Sequence, residues 1–536
     1  MKLPSLFIAI LVCTQLTAQK NYWQQQVRYN IRAELNDKDK SIAGFETIVY
    51  KNNSPSTLNF IWFHIWPNAY KNESTALLQQ IKKDKDHIKK MPARMTGSDG
   101  ENFGGGFIDG LAFKVNDQAA QTEPHPNPQY IDIIKLLLNK PLLPGDSITI
   151  STPFKVMLPP YFSRSGYADG EFMACQWYPK PAVFDKNGWH EFPYLDMGEF
   201  YSEFADYSVS ITLPSDYVVG ATGVLQTKEE LDAYKKIGAK NVTDRKGKPS
   251  LYVPVSKNEK KTLTYYAEQV PDFAWFADKG FVIQYDTTQL PGGKVIDAFS
   301  YYHNKKGTIW NNSIDYIKDG VKKYSGWVGE YGYPVVQVVE GPKNNSSGGM
   351  EYPMVTLITS PDAKVETLDA VIAHEIGHNW FMSMLGSNER AHTWMDEGLN
   401  TYFQFRYEAE KYRSNSIFGD AIPKEVKEMS SEEFLGVIYN IIDKNIPMQS
   451  AMDTPADKFP NSEEYGLISY VKTALWMHLL ESAIGRDKME LAIHHYFDKW
   501  KNKHPQPEDM QAAFEEATGA KLDQFFNLTK KEGKLE

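Results

Sequence analysis

The chain has 536 residues, too many for one ordinary core, and at roughly 100–200 residues per domain it divides into two to four domains. Apolar residues at 42%, charged residues at 24%, and 12 Trp, 31 Tyr and 28 Phe describe a folded chain with ample buried surface, excluding fibrous, low-complexity or largely disordered architectures. A formal charge of −10, spread along the chain without a basic stripe, excludes nucleic acid and anionic lipid as partners.

Residues 1–18 begin with Lys2, continue through the apolar run LFIAILV and close with Leu16-Thr17-Ala18 before Gln19, the layout of a secretory signal peptide. That run falls short of the roughly 20 residues needed to span a bilayer, and no other segment comes near. The expectation is an exported chain, periplasmic or extracellular after cleavage, with no integral membrane segment. Cleavage removes Cys13 and leaves only Cys175, so an internal disulfide is excluded. The basic stretch KKDKDHIKK at 82–90 is broken by aspartates and reads as a solvated face.

From about 22 to 285 the chain alternates β-rich runs with turn signals, among them FETIVYKNNS, LNFIWFHIWPN, DSITISTPFKVMLPP, YSVSITLPSDYVVGATG and KTLTYYAEQ. This predicts a large, mostly antiparallel β domain, with loops at 97–107 and 114–128. After Pro291-Gly292-Gly293 the pattern changes, and 363–384, 394–411, 463–484 and 486–500 repeat apolar residues at helical spacing.

The chemistry lies in the helical half. Residues 374–378 read His-Glu-Ile-Gly-His inside a stretch of helical periodicity. Positions i and i+4 share a helix face, so His374 and His378 can reach one cation while Glu375 projects beside it. A chance H-E-x-x-H in a chain of this composition has a probability of roughly one or two per cent. The competing reading, a solvated polar face, conflicts with the flanking Ile372, Ile376 and Phe381, since buried charge at that density calls for a counter-ion. A hydrolytic zinc site needs a third protein ligand, and Glu397, after an 18-residue gap, opens the next helical pattern. One Zn²⁺ per chain is expected on His374, His378 and Glu397, with Glu375 as general base. His392 lies outside the ligand spacing and reads as structural.

The helix, the gap and the segment WMDEGLNTY resemble the M1 family of zinc aminopeptidases, the gluzincins that include aminopeptidase N and leukotriene A4 hydrolase. Gly348-Gly349-Met350-Glu351-Tyr352 is similar to the family's G-x-M-E-N motif, with Tyr replacing Asn, and Tyr470-Val471-Lys472-Thr473-Ala474 to its Y-x-K-G-A segment, with Thr replacing Gly. The resemblance implies an α+β multidomain fold: a signal peptide at 1–18, an N-terminal antiparallel, saddle-like β domain at 19–285, and a mainly helical thermolysin-like zinc peptidase domain at 286–536. It implies hydrolysis of the N-terminal peptide bond of peptides with a free N-terminus. By the same resemblance Glu351 binds the substrate's α-amino group, Tyr470 supports the oxyanion, and Gly349 and Met350 line the cleft. Gln176, in MACQWYPKPAVFD, is the expected amine-binding contribution of the β domain; packing among Trp177 and Tyr178 is its rival reading. Two other functions share these residues: a zinc endopeptidase of the same fold and a catalytically silent peptide-binding homologue.

Overall fold

The computed structural model describes residues 22–535 except 85–104, 246, 256, 344–347 and 360–363. The expected signal peptide lies outside the described residues, as does most of 82–90 and of 97–107.

The N-terminal half is built mainly of strands. Gln26–Asn36 buries every second residue, Val27, Tyr29, Ile31, Ala33 and Leu35, and turns the others outward, because successive side chains on a pleated strand point to opposite faces. This strand lies within a nine-stranded sheet, antiparallel to Ser41–Lys51 and parallel to Ala205–Pro214. The second pairing is an exception to the expected antiparallel order. Ser147–Met157 continues the sheet on one side and Lys260–Val270 on the other. Two four-stranded sheets are organised around Leu58–His64 paired with Ile133–Leu142, and Glu171–Ala174 paired with Trp275–Asp278. All five β-rich runs read from the sequence fall on strands. The helix Lys228–Thr243 interrupts them and carries four buried residues, Glu230, Tyr234, Gly238 and Asn241.

A five-stranded sheet follows, ordered Phe281–Gln289, Val295–His303, Val335–Glu340, Val355–Ile358 and Gly349–Tyr352. Gly349–Tyr352 is its edge strand, antiparallel to Val355–Ile358. Beyond it the chain is helical. Three expected helices are found as Val365–Phe381, Glu397–Tyr412 and Arg486–Trp500. The fourth, over 463–484, is irregular: α-helical Ser462–Gly466 passes into a π-helical stretch, Leu467–Lys472, before regular Thr473–Ile484. A π-helical insertion widens one turn and re-aims the residues on it, and such turns concentrate at functional sites. Ser313–Trp327, Ser431–Asn445 and Pro507–Thr518 add to the expected set.

Val365–Phe381 is the central helix of this half. From Leu368 onward nearly all its side chains are buried, as expected of a helix that is apolar all round and packed on several sides. Gly377 is what permits the packing. A Cβ there would lie 1.9 Å from Asn400 Oδ1 and 2.5 Å from the Tyr324 ring. Interior glycine costs about 1 kcal/mol of helix propensity relative to alanine, which the close approach of two neighbouring helices offsets. Among the described residues no helix is long and apolar enough to cross a membrane.

Candidate metal centre and active-site cavity

His374 and His378 project from one face of the central helix, and Glu397 is the first residue of Glu397–Tyr412. That position suits a carboxylate, since a helix N-terminus carries partial positive charge. The two helices are tied at the site: Asn400 Nδ2 donates to His374 O (2.7 Å), and Tyr324 OH donates to Asn400 Oδ1 (2.8 Å). The result is a triangle of donor atoms. His374 Nε2 and His378 Nε2 are 3.2 Å apart, and Glu397 Oε2 lies 3.4 Å from the first and 3.3 Å from the second. Ligands at about 2.0–2.1 Å from a tetrahedral zinc ion are separated by roughly 3.3 Å. The triangle therefore fits zinc, and Glu397 Oε2, buried without a hydrogen-bond partner, completes the donor set.

The surroundings support this fit. Asp396 Oδ1 lies 2.7 Å from His378 Nδ1, fixing the tautomer that leaves Nε2 as the ligating atom. Burial pushes the Asp396 carboxyl up to about 7 against the pull of the His378 charge. Burial also opposes charge on His378, but Asp396, Glu397 and Glu351 outweigh it and raise this imidazole well above its usual value. For Glu397 burial works upward, yet the neighbouring His378 and His374 hold the carboxyl far below the ordinary range. The centre is thus a buried cluster of acids that favours a cation among them.

Glu375 is buried beside the triangle, pushed up to about 8 chiefly by burial, and its Oε2 has no hydrogen-bond partner. The edge strand passes directly against it: a Cβ on Gly349 would lie 2.4 Å from Glu375 Oε1. On the same strand Glu351 is buried, and burial raises its carboxyl well above the ordinary range, with His378 pulling it down and Glu199 adding to the rise. Tyr470, on the π-helical stretch, donates to Glu397 Oε1 at 2.6 Å and lies nearly parallel to the His374 ring. Lys472, two residues on, donates to Ser450 O (2.8 Å) and Lys531 O (3.3 Å), pinning that stretch.

His374, Glu375, His378, Glu397, Gly349, Met350, Glu351 and Tyr470 all line one cavity of about 930 Å³. Lys83 and Asp84 from the β half and Pro460 to Glu463 from the helical half border it, and Ser462 donates to Asp84 Oδ2 through both N (3.2 Å) and Oγ (2.6 Å). Gln176 is not among the residues lining this cavity. Its amide oxygen accepts from Tyr352 OH (3.1 Å) and its amide nitrogen donates to Asp272 Oδ2 (3.3 Å), and it borders a smaller void together with Glu351 and Glu199. His392 is held by Asp453, 2.6 Å from its Nδ1, away from the triangle.

Sequence reasoning missed Arg164, Glu199 and Tyr465, which line the same cavity. Arg164 grips Glu199 through Nε (2.9 Å) and Nη2 (2.5 Å). Glu199, Glu351 and Glu389 also surround a void of about 20 Å³ behind the edge strand. No motif or spacing links these residues; only the fold assembles them.

The sequence model of the peptidase family M1 domain matches residues 322–528, the span that holds Glu351, the ligand triangle, Glu375 and Tyr470. Residues 322–528 form a peptidase family M1 domain. The region similar to leucine aminopeptidase 2 of Neosartorya fischeri is 34% identical over 173 residues, 30% of this chain and 25% of that protein. Leucine aminopeptidase 2 of Chaetomium globosum is 25% identical over 274 residues, 50% of this chain and 42% of the relative. The chain therefore spans less than half the length of these relatives. An M1 zinc metallopeptidase from Deinococcus radiodurans superposes with a TM-score of 0.61 at 14% identity, covering 95% of this chain and 94% of that one. Aminopeptidase A of Legionella pneumophila, solved with aspartic acid, gives 0.63 at 14% identity over 97% of this chain and 50% of that one. The fold is shared: a mostly β N-terminal part followed by a helical part.

Proposed function

We propose that this chain is an exported zinc aminopeptidase that hydrolyses the first peptide bond of peptides with a free N-terminus. The observation that supports the reading is the close packing of the edge strand at Gly349 against Glu375, with Glu351, the proposed amine anchor, two residues further along that strand. Glu351 is two residues from Gly349 on the same strand, so the anchor and the metal triangle lie at a set separation within one cavity. An ammonium bound at Glu351 gains a charge-assisted hydrogen bond only when one residue separates it from the scissile carbonyl.

Zinc on His374, His378 and Glu397 would supply Lewis-acid polarisation and a lowered pKa for water. Glu375 accepts the proton of the attacking water and delivers it to the leaving amine, so the water is divided between the two products. Tyr470 transfers its hydrogen bond from Glu397 Oε1 to the developing oxyanion, an interaction strongest in the transition state. The edge strand Gly349–Tyr352 presents backbone groups beside which a peptide can lie extended. Export rests on the layout of residues 1–18, and the division between the two halves is proposed near 285. Recovery of the chain outside the cytoplasm with an N-terminal peptide beginning at Gln19 by mass spectrometry would support export; a chain confined to the cytoplasm with its N-terminus uncleaved would exclude it.

The rival is an endopeptidase, which needs the triangle but no amine anchor. Cleavage of an aminoacyl-peptide and its N-acetylated form separates the two. The proposed function expects the free peptide to be cut about 10–100-fold faster, given the worth of a charge-assisted hydrogen bond; equal rates would overturn it. A silent binding homologue would show zinc and no turnover with either.

A further inference from the structure

Gln176 has a backbone that an L-residue rarely adopts, with φ at +47°. Left-handed conformations of non-glycine residues persist where the surroundings over-determine them. Here the surroundings are a buried polar chain running from the β half to the edge strand. Asp272 Oδ1 receives Tyr178 OH (2.8 Å) and the Lys180 ammonium (2.7 Å), and Lys180 is itself only 2% exposed. Asp272 Oδ2 receives Gln176 Nε2 (3.3 Å).

An ionised carboxylate only accepts, so Asp272 decides which way the Gln176 amide faces: nitrogen toward Asp272, oxygen toward Tyr352. Tyr352 OH then donates to Gln176 Oε1 at 3.1 Å. Tyr352 ends the edge strand, where one side of the ladder is paired, by Val355–Ile358. Tyr352 follows Glu351 directly on this strand, so a tether on Tyr352 also sets the position of Glu351. A phenol reaches Gln176 where a shorter asparagine side chain at 352 would not, which gives the departure from G-x-M-E-N a physical reason.

We infer that Gln176 is a positioning residue: the Lys180–Asp272 pair orients its amide, and through Tyr352 it holds the Glu351 strand in the register that receives a substrate amine. The inference rests on the reading of Glu351 as amine anchor.

The test compares wild type with Gln176→Asn, whose side chain tolerates the left-handed backbone but is too short to bridge Asp272 and Tyr352, and with Tyr352→Phe, which removes one hydroxyl. Zinc content and melting temperature establish that each variant is folded. KM and kcat are measured with an aminoacyl-peptide, and Ki with the same peptide lacking its α-amine. Both variants should raise KM about tenfold, the worth of one lost orienting hydrogen bond, with kcat within about threefold and Ki for the des-amino peptide unchanged. The double variant should be no worse than either single one, since one chain is broken in both. Unchanged KM in Gln176→Asn, additive losses in the double variant, or an equal rise in Ki for the des-amino peptide would overturn the inference. If wild type itself binds the free and des-amino peptides equally, the amine-anchor reading fails; a wild-type preference that survives both substitutions removes this inference alone.

Discussion

The two ends of the cavity are built differently. The metal end rests on two consecutive helices, with the three donor atoms, Glu375 and Asp396 all within residues 374–397. The end proposed to receive the amine draws on strand residues 349–352, on Arg164 and Glu199, and on a chain reaching to Gln176, Asp272 and Lys180. A centre assembled within a short stretch inherits its geometry from helix periodicity. One assembled across the molecule depends on how the halves pack, and its parts can change singly.

The largest effect should come from the metal end. Glu397→Gln is expected to lose stoichiometric zinc and at least about a thousandfold in activity, with melting temperature falling as the metal's contribution is lost; elemental analysis and turnover check both. A variant that kept its zinc would break the contrast between a concentrated and a dispersed end. Glu375→Gln should retain zinc and lose turnover to a similar extent, read by kcat at saturating substrate.

This contrast also explains what the sequence could disclose. His374 and His378 were legible because i, i+4 spacing on a helix is a geometric statement in itself, Glu375 because it lies between them, and Glu397 because it opens the next helical pattern after a short gap. The β character of the first half was legible through period-two runs such as that in Gln26–Asn36, where alternation and burial coincide. The partners of Gln176 were not legible, because which group an amide meets depends on Asp272, 96 residues away. Arg164, Glu199 and Tyr465 left no trace, since their proximity exists only after the halves have packed. The parallel pairing of Gln26–Asn36 with Ala205–Pro214 was hidden for the same reason.

Tyr470→Phe should come next in size, lowering kcat about a hundredfold while KM and zinc content hold, as for loss of one oxyanion donor. Asp396→Asn should weaken zinc binding by about 10–100-fold, measured by competition with a chromogenic chelator, through misorientation of the His378 ring. The smallest effect on catalysis, and a direct probe of how the halves are joined, lies at His504. Its Nε2 is 2.9 Å from Glu203 Oε1 of the β half and its Nδ1 is 2.7 Å from Gly386 O. Burial lowers the pKa of this imidazole, but the charge and hydrogen bond of Glu203 outweigh it and the net shift is upward. A folded-state pKa above the unfolded value means the stabilisation is complete below about pH 6.5 and is lost as pH rises through the folded value. Glu203→Gln should therefore cost about 3 kcal/mol in chemical denaturation at about pH 6 and clearly less at about pH 9. A cost independent of pH would show that the pair does not titrate as described.

The π-helical stretch at Leu467–Lys472 has an evolutionary corollary. Since each residue in a regular helix advances the chain by about 100°, excising one residue there would heal the winding and swing the phenol of Tyr470 to another side of the cylinder. Homologues of this chain should then tolerate substitutions across that turn far more readily than a change in its length.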